Sequence, residues 1–256
     1  MFDHAANGAE EVSPENGLGQ TRRALLEQAG VGLLAAGGAL AVAREASAAG
    51  TASTVEVPAV IASTIVTAEH FGVTFLTQAV RQAPGTPSEM FVNVLKAANT
   101  AEFDHIPALR AMGGRPLTTR FWIPDAAFGG GGAGLFATIE MVENIEISAY
   151  LTAVTAFSQV RRARDARVLA AAMGTEAEHR VLARSARATI AKLPGVPNDK
   201  SFESYTIRTA AGAQRALEAL GIGFGREGRA PGKFYDFPGS PLRNGTGSPL
   251  ISRFPA

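Results

Sequence analysis

Two short segments of the chain carry a glutamate and a histidine at a spacing that suits a shared metal ion. Glu102 stands three positions before His105, and Glu176 stands three positions before His179. Side chains at positions i and i+3 of an α-helix lie on neighbouring parts of one face, so each pair could bind one ion together. The sequence therefore raises the hypothesis that the two motifs belong to one metal site.

Two further glutamates precede these motifs at one common distance. The separation from Glu69 to Glu102 equals the separation from Glu143 to Glu176. Apolar residues at helical spacing surround them, and a carboxylate in such a stripe is costly unless it is paired or bound to metal. Two divalent cations would neutralise four carboxylates, and oxygen-rich donors with some imidazole suit iron or manganese. The predicted metal ligands are Glu69, Glu102, His105, Glu143, Glu176 and His179.

The segment around Glu143 leaves the choice of ligand open. Glu146 lies one turn further on and is the alternative to Glu143, or an additional bridging ligand. Glu140 is expected at a helix end or at the surface. Tyr150 lies two turns after Glu143 on the same face. It is a candidate hydrogen-bond partner of a ligand or a redox-active residue, and packing in the core is the alternative interpretation.

Four long segments with apolar residues at helical spacing must position these ligands. Thr86 and Glu89 are predicted to form a capping box at the start of the second segment, and a short basic turn connects the last two segments. The long connection between the pairs is rich in glycine and has no periodicity. This pattern predicts an all-α fold, a four-helix bundle with one long crossover over residues 57–192, and it contains no strand alternation strong enough to predict a sheet. The predicted helices cover residues 59–83, 87–112, 134–160 and 164–192.

The two ends of the chain have a different character. Residues 193–256 are rich in glycine, proline and aromatic residues, which predicts a mostly irregular extension with room for one helix at 201–220. Residues 1–48 carry a paired arginine, a mild apolar stretch and a small-residue cleavage pattern, as twin-arginine signal peptides do. The apolar stretch at 29–43 is shorter than the roughly 20 residues of a spanning helix. We therefore expect export across the cytoplasmic membrane to the periplasm or beyond, with no stable membrane span after signal removal. An ordinary N-terminal helix is the alternative.

The composition excludes several kinds of site. The 256 residues include no cysteine, which excludes disulfides, thiolate metal sites and cysteine nucleophiles. The net charge of +1 provides no field that would attract nucleic acid, so no nucleic-acid partner is expected. Only four histidines are present, so a metal site must be built mainly from carboxylates.

The pattern of ligands resembles the ferritin-like superfamily of di-iron and di-manganese carboxylate proteins. The segments TAEHFGVTFL, AANTAEFDHIPALRAMGG, ENIEISAYLTAV and EAEHRVLARSARA resemble the exported ferritin-like domain family that includes plant desiccation-related proteins. The resemblance covers residues 57–192 and implies a bundle with two metal ions, without implying one agreed reaction. The sequence departs from many relatives at Gly72, where they carry a second glutamate.

These observations lead to one preferred function and one alternative. The preferred function is an exported protein with a dinuclear iron or manganese site, in which Glu69 and Glu143 are terminal ligands and Glu102 and Glu176 are bridging ligands. Its chemistry would be linked to oxygen or peroxide in stress protection. The alternative is a non-enzymatic stress-protection or envelope-associated bundle with structural metal or none. A metal store is disfavoured because the crossover and the extension do not suit a closed cage. Self-association into a homo-oligomer is compatible with the sequence.

Overall fold

The computed structural model describes residues 56–244, and this part of the chain is mostly helical. The predicted signal peptide and the end of the predicted extension lie outside the described residues. The expectation of a mostly helical protein is confirmed, and the helices are accompanied by a small three-stranded sheet that no alternation in the sequence indicates. The elements are the helices α1 (Pro58–Gln82), α2 (Val92–Ala111), α3 (Ala133–Gln159), α4 (Ala163–Ala191) and α5 (Ala210–Ala219), and the strands β1 (Arg120–Pro124), β2 (Gly223–Phe224) and β3 (Gly232–Asp236).

The connection between α1 and α2 contains a tighter turn than the sequence predicted. The side chain of Thr86 accepts a hydrogen bond from the backbone N–H of Ser88, and Glu89 accepts one from the N–H of Gly85. These contacts begin a 3₁₀ turn over Pro87–Phe91, so that α2 begins at Val92 rather than at residue 87. The predicted capping residues therefore form capping hydrogen bonds, but these bonds lie at the start of a short 3₁₀ turn that precedes the α-helix.

The four long helices pack as two antiparallel pairs. Asn99 of α2 donates to the carbonyl oxygen of Val73 in α1 over 2.8 Å, and Arg110 donates to Nε2 of His70 over 3.2 Å. Later positions of α2 thus contact earlier positions of α1, so the two helices are antiparallel. Within the second pair, Arg184 of α4 lies 3.4 Å from Glu140 of α3. Arg180, one turn earlier on α4, contacts Asn144, one turn later on α3.

A small sheet joins the long crossover to the C-terminal extension. Strand β1 lies in the crossover and pairs antiparallel with β2 on one side and β3 on the other. Little in the sequence indicates this sheet, because its strands are short and the partners of β1 lie about a hundred positions further along the chain. Glycine allows the close approach of the strands: a Cβ added at Gly232 would lie 2.4 Å from the carbonyl oxygen of Ile123.

The extension packs along the α3–α4 pair before its helix begins. The hydroxyl of Ser148 accepts hydrogen bonds from the backbone N–H groups of Thr206 and Ile207, over 3.1 and 2.8 Å. These N–H groups therefore do not take part in a helix, and α5 begins only at Ala210, later than the predicted start at 201. Thr209 caps α5 by accepting from the N–H of Gly212 over 3.0 Å.

Helix α1 forms the centre of the core. Among residues 56–244 it is the helix that is long and apolar enough to cross a membrane, but most of it is buried by the rest of the protein. Its Phe71 and Phe75 contact Phe121 of β1 and Phe128 of the crossover, which ties the sheet to the helices. The apolar character of α1 is therefore explained by its place inside the fold.

Candidate metal centre

The six predicted ligands come together inside the two helix pairs. Helices α1 and α3 each supply one glutamate, and helices α2 and α4 each supply a glutamate and a histidine one turn apart. The four glutamates are at most 3% exposed, and the most accessible member is His105, with 14% of its side chain exposed. The ligands form two groups, and within each group the donor atoms lie within 4.8 Å of one another. The Glu69 group contains Glu69, Glu102, His105 and Glu176, and the Glu143 group contains Glu102, Glu143, Glu176 and His179.

Two carboxylates belong to both groups. Glu176 divides its oxygens between them, because Oε1 lies 3.0 Å from Nδ1 of His105 and Oε2 lies 3.0 Å from Nδ1 of His179. Glu102 places Oε1 3.1 Å from the same nitrogen of His179. This buried cluster of glutamates and histidines could hold metal ions, with two carboxylates placed between two sets of donors.

The equal spacing along the chain appears as matching contacts in space. Glu69 of α1 lies 3.3 Å from Nδ1 of His105 in the neighbouring helix α2. Glu143 of α3 lies 3.8 Å from Nδ1 of His179 in its neighbouring helix α4. The helices of each pair are antiparallel, and the separation along the chain is the same in both pairs. Each single glutamate therefore lies at the same level along the bundle as the Glu-x-x-His motif of the neighbouring helix.

Burial and charge interactions shift the pKa values of the cluster members in different directions. Burial raises the pKa of Glu102 and Glu143 well above the usual range, and nearby carboxylates raise both pKa values further. Burial also opposes the charge on Glu176, but the adjacent histidines lower its pKa to about 2. Burial would lower the pKa of His179, yet hydrogen bonds to Glu102 and Glu176 raise that pKa to about 10. Without a metal ion, protons on the histidines and on some of the glutamates balance the charge of the cluster. A bound cation would displace these protons.

Several buried oxygens of the cluster fit a cation because they have no other partner. Oε2 of Glu102, Oε2 of Glu143 and both oxygens of Glu146 lack a hydrogen-bond partner within the described residues. An unsatisfied buried polar group costs about 1–3 kcal/mol, and more when it is charged. A divalent ion near these oxygens would offset that cost. The donor set, rich in carboxylates with one imidazole in each group, therefore fits a metal site.

The geometry favours Glu143 over Glu146 as the donor from α3. Glu143 has an oxygen in one of the two donor groups, whereas Glu146 lies outside both. Glu146 is nevertheless only 3% exposed. Glu140 forms ion pairs with Arg184 and Arg187, over 3.4 and 3.0 Å, and takes no part in the cluster.

Tyr150 contacts the cluster directly from α3. Its ring is fully buried, and its hydroxyl donates a hydrogen bond to Oε1 of Glu69. The ring also lies edge-on to the imidazole of His105, with 6.2 Å between the centroids. Burial and the neighbouring Glu69 raise the pKa of the phenol well above its usual value, so the hydroxyl keeps its proton and remains a donor.

Two polar residues around the cluster make buried contacts that no sequence motif indicates. Arg180, directly after His179, is 3% exposed and forms a two-pronged ion pair with Glu203 of the extension, with Nη2 2.7 Å from Oε1. Asn99, three positions before Glu102, donates to Val73 and accepts from the N–H of Leu242. No motif marked either residue, because both bind partners in the extension, where the sequence predicted little order. The one signal in the sequence is the position of Arg180 directly after the predicted ligand His179.

No protein-family model, curated protein or solved structure matches this chain. The geometry of the site and the sequence motifs that form it are therefore the basis on which a function can be proposed.

Proposed function

We propose that this chain is an exported ferritin-like protein whose four long helices hold a dinuclear iron or manganese centre. One observation carries the proposal: the two donor groups share Glu102 and Glu176, and each group adds one glutamate and one histidine of its own. Two ions at short distance require this kind of arrangement, because shared carboxylates reduce the repulsion between them. A site for a single ion would not need two nearly equal sets of donors.

The proposed ferritin-like arrangement is supported by the connections between the helices. Helices α1 and α2 form one antiparallel pair, α3 and α4 form the other, and a long crossover joins the pairs. Ferritin-like bundles take one glutamate from each of two helices and a Glu-x-x-His motif from each of the other two. The chain distributes its six donors over α1 to α4 in the same manner.

In the proposed centre each residue has a defined role. Glu69 and Glu143 would each bind one ion, Glu102 and Glu176 would bind both, and each histidine would supply the nitrogen ligand of its group. Carboxylate-rich sites with a little imidazole favour iron or manganese over copper. When bound, such ions supply the redox chemistry with oxygen or peroxide that side chains alone do not provide.

The chain's own residues prepare the site for this chemistry. Tyr150 fixes one oxygen of Glu69 and leaves the other oxygen facing His105, over 3.3 Å. Burial of the glutamates excludes bulk water. His105 is the most accessible member of the cluster, so a small molecule such as peroxide would approach the site from its side. We expect oxygen- or peroxide-linked chemistry in stress protection.

Metal analysis of the purified protein tests the proposal. After expression with added iron or manganese, we expect roughly two ions per chain, as in other carboxylate-bridged bundles. Glu102→Ala should remove the bound metal because it removes a donor from both groups. Glu178→Ala is the matched control, since Glu178 lies on α4 beside His179 but is exposed.

Two results would contradict the proposal. One is a metal content of less than about half an ion per chain, since the donor geometry would then not form a binding site. The other is full occupancy in Glu102→Ala, which would place the metal elsewhere. A loaded protein that fails to consume peroxide or oxygen faster than the metal-free protein would favour the non-enzymatic alternative with a structural metal.

Export is a separate part of the proposal. It is supported by the paired Arg22 and Arg23 and by the small-residue pattern at 46–48. Replacing both arginines with lysine should keep the protein in the cytoplasm of an expressing bacterium, as cell fractionation would show. Unchanged export of the lysine variant would contradict the twin-arginine route.

A further inference from the structure

The two halves of the candidate metal centre differ at one pair of equivalent positions. A single shift along the chain takes Glu69, Glu102 and His105 onto Glu143, Glu176 and His179. The same shift takes Gly72 of α1 onto Glu146 of α3. The position one turn after the first glutamate therefore carries no side chain in one half and a carboxylate in the other.

Gly72 leaves room for a carboxylate of the cluster. It is buried in the interior of α1, where glycine is less favourable than alanine by about 1 kcal/mol. A Cβ added at Gly72 would lie 3.0 Å from Oε2 of Glu102 and 3.2 Å from its Cδ. Both contacts are closer than unstrained atoms normally come, so a methyl group would push this carboxylate away. The helix thus contains an unfavourable residue at a position where the Glu102 side chain occupies the space that a methyl group would take.

Glu146 places an additional carboxyl group in the other half, which can supply negative charge when a cation is bound. It is 3% exposed, and neither of its oxygens has a hydrogen-bond partner within residues 56–244. A buried carboxylate without a partner is destabilising unless a cation lies near it. Glu146 lies one turn after Glu143 on the same helix, so it approaches the cluster beside the Glu143 group. It also interacts with the shared Glu102 and Glu176, and then with His179 ahead of His105.

We propose that Gly72 is a positioning residue for Glu102, and that the Gly72–Glu146 difference makes the two donor groups bind divalent metal ions with unequal affinity. The Glu143 group, with the additional carboxylate nearby, binds its ion more tightly. The Glu69 group, which has no such carboxylate at Gly72, binds its ion more weakly. Its binding depends on the space at Gly72, which lets the Glu102 carboxylate take its position. This inference rests on the proposed dinuclear centre.

Manganese titration of the metal-free full-length protein tests the inference. Isothermal titration calorimetry should resolve two binding steps of unequal affinity in the unmodified protein. Gly72→Ala should weaken the weaker step by at least about tenfold, the usual effect of disturbing the residues that orient a ligand. Glu146→Gln, which keeps the shape and removes the charge, should weaken the tighter step by about the same factor.

Gly174→Ala is the matched control for the glycine variant. Gly174 is an exposed helical glycine of α4, and a Cβ added there would meet nothing within 4 Å. We expect it to leave both binding steps unchanged. Thermal unfolding of the metal-free proteins separates positioning from a structural role. Gly72→Ala should be as stable as the unmodified protein or more stable, because alanine favours the helix and Glu102 can move when no metal holds it.

Each outcome decides between the proposals. Unchanged manganese binding by Gly72→Ala, or two steps of equal affinity in the unmodified protein, would overturn the inference and leave the dinuclear centre intact. An unmodified protein that binds no manganese or iron would overturn both. If Gly72→Ala does not fold, Glu146→Gln alone tests whether the two donor groups differ in affinity for the reason proposed. Loss of the difference between the two binding steps supports the inference, and a preserved difference overturns it.

Discussion

Glu176→Gln should destabilise the metal-free protein, although it removes a charge from a cluster of buried carboxylates. Glu176 is the carboxylate that both histidines contact, each over 3.0 Å. Although burial opposes its charge, the histidines lower its pKa from an ordinary 4.5 to about 2. At about 1.4 kcal/mol per pKa unit, the ionised group contributes about 3 kcal/mol to the free energy of unfolding at pH 7. This is a large part of the roughly 5–15 kcal/mol that is typical of a folded domain.

The sign and the pH range of this effect follow from the direction of the shift. A carboxyl group with a lowered pKa stabilises the fold above its unfolded value and loses that contribution as the pH falls through its folded value. The difference between the unmodified protein and Glu176→Gln should therefore be full between about pH 5 and about pH 9 and shrink toward about pH 2. It should also shrink as the pH rises past about 10, where His179 loses the proton that stabilises the Glu176 carboxylate. Urea unfolding of the metal-free proteins, followed by circular dichroism at several pH values, measures it.

Two further variants make this measurement decisive. Glu178→Gln, at an exposed position of the same helix, should change the free energy of unfolding by less than about 0.5 kcal/mol. Glu146→Gln should be neutral or stabilising, because burial and the nearby carboxylates raise the pKa of Glu146 well above its usual range. If Glu176→Gln were as stable as the unmodified protein at pH 7, the histidines would not carry the charge that this reasoning assigns to them.

Three other outcomes test the surroundings of the site. Tyr150→Phe should cost the metal-free protein about 1–2 kcal/mol in thermal unfolding, because Glu69 loses a buried donor; a stability equal to that of the unmodified protein would refute this. Glu203→Gln should cost about 2 kcal/mol and speed proteolysis of the extension, because the buried Arg180 loses its charged partner; an unchanged digestion pattern would argue against the contact. Metal at about a hundred times its dissociation constant should stabilise the fold by about 2.7 kcal/mol per ion, seen as a higher melting temperature, and an unchanged temperature would exclude binding.

The long helices and the cluster could be predicted from the sequence because their signals are local and repeated. The helical period places Glu102 and His105 on one face, and the spacing that both halves share aligns Glu69 with them. Antiparallel packing then leaves little freedom in where these side chains meet. The equal spacing favours Glu143 over Glu146, but it leaves Glu146 open because both lie on the same face of α3. The three-dimensional arrangement separates them, since Glu143 alone of the two belongs to a donor group.

The sheet and the extension could not be predicted because their order comes from distant partners. Strand β1 is too short for a clear alternation, and it is paired by segments about a hundred positions further along. The stretch before α5 has helical propensity, but Ser148 binds the N–H groups of Thr206 and Ile207, which are then not available for a helix. Tertiary contacts override local propensity in both places.

The pairing of β1 with β2 and β3 also constrains the order in which the chain can fold during synthesis. The register joins Phe121 to Tyr235, so the crossover cannot reach its final conformation until the ribosome has released all of the chain between them. Contacts of this sequence separation form slowly, because a long loop must close before they are made. Helices α1 and α2 can meet early, since their contacts are local. The sheet, and the part of the extension anchored to Asn99 through Leu242, must be completed last.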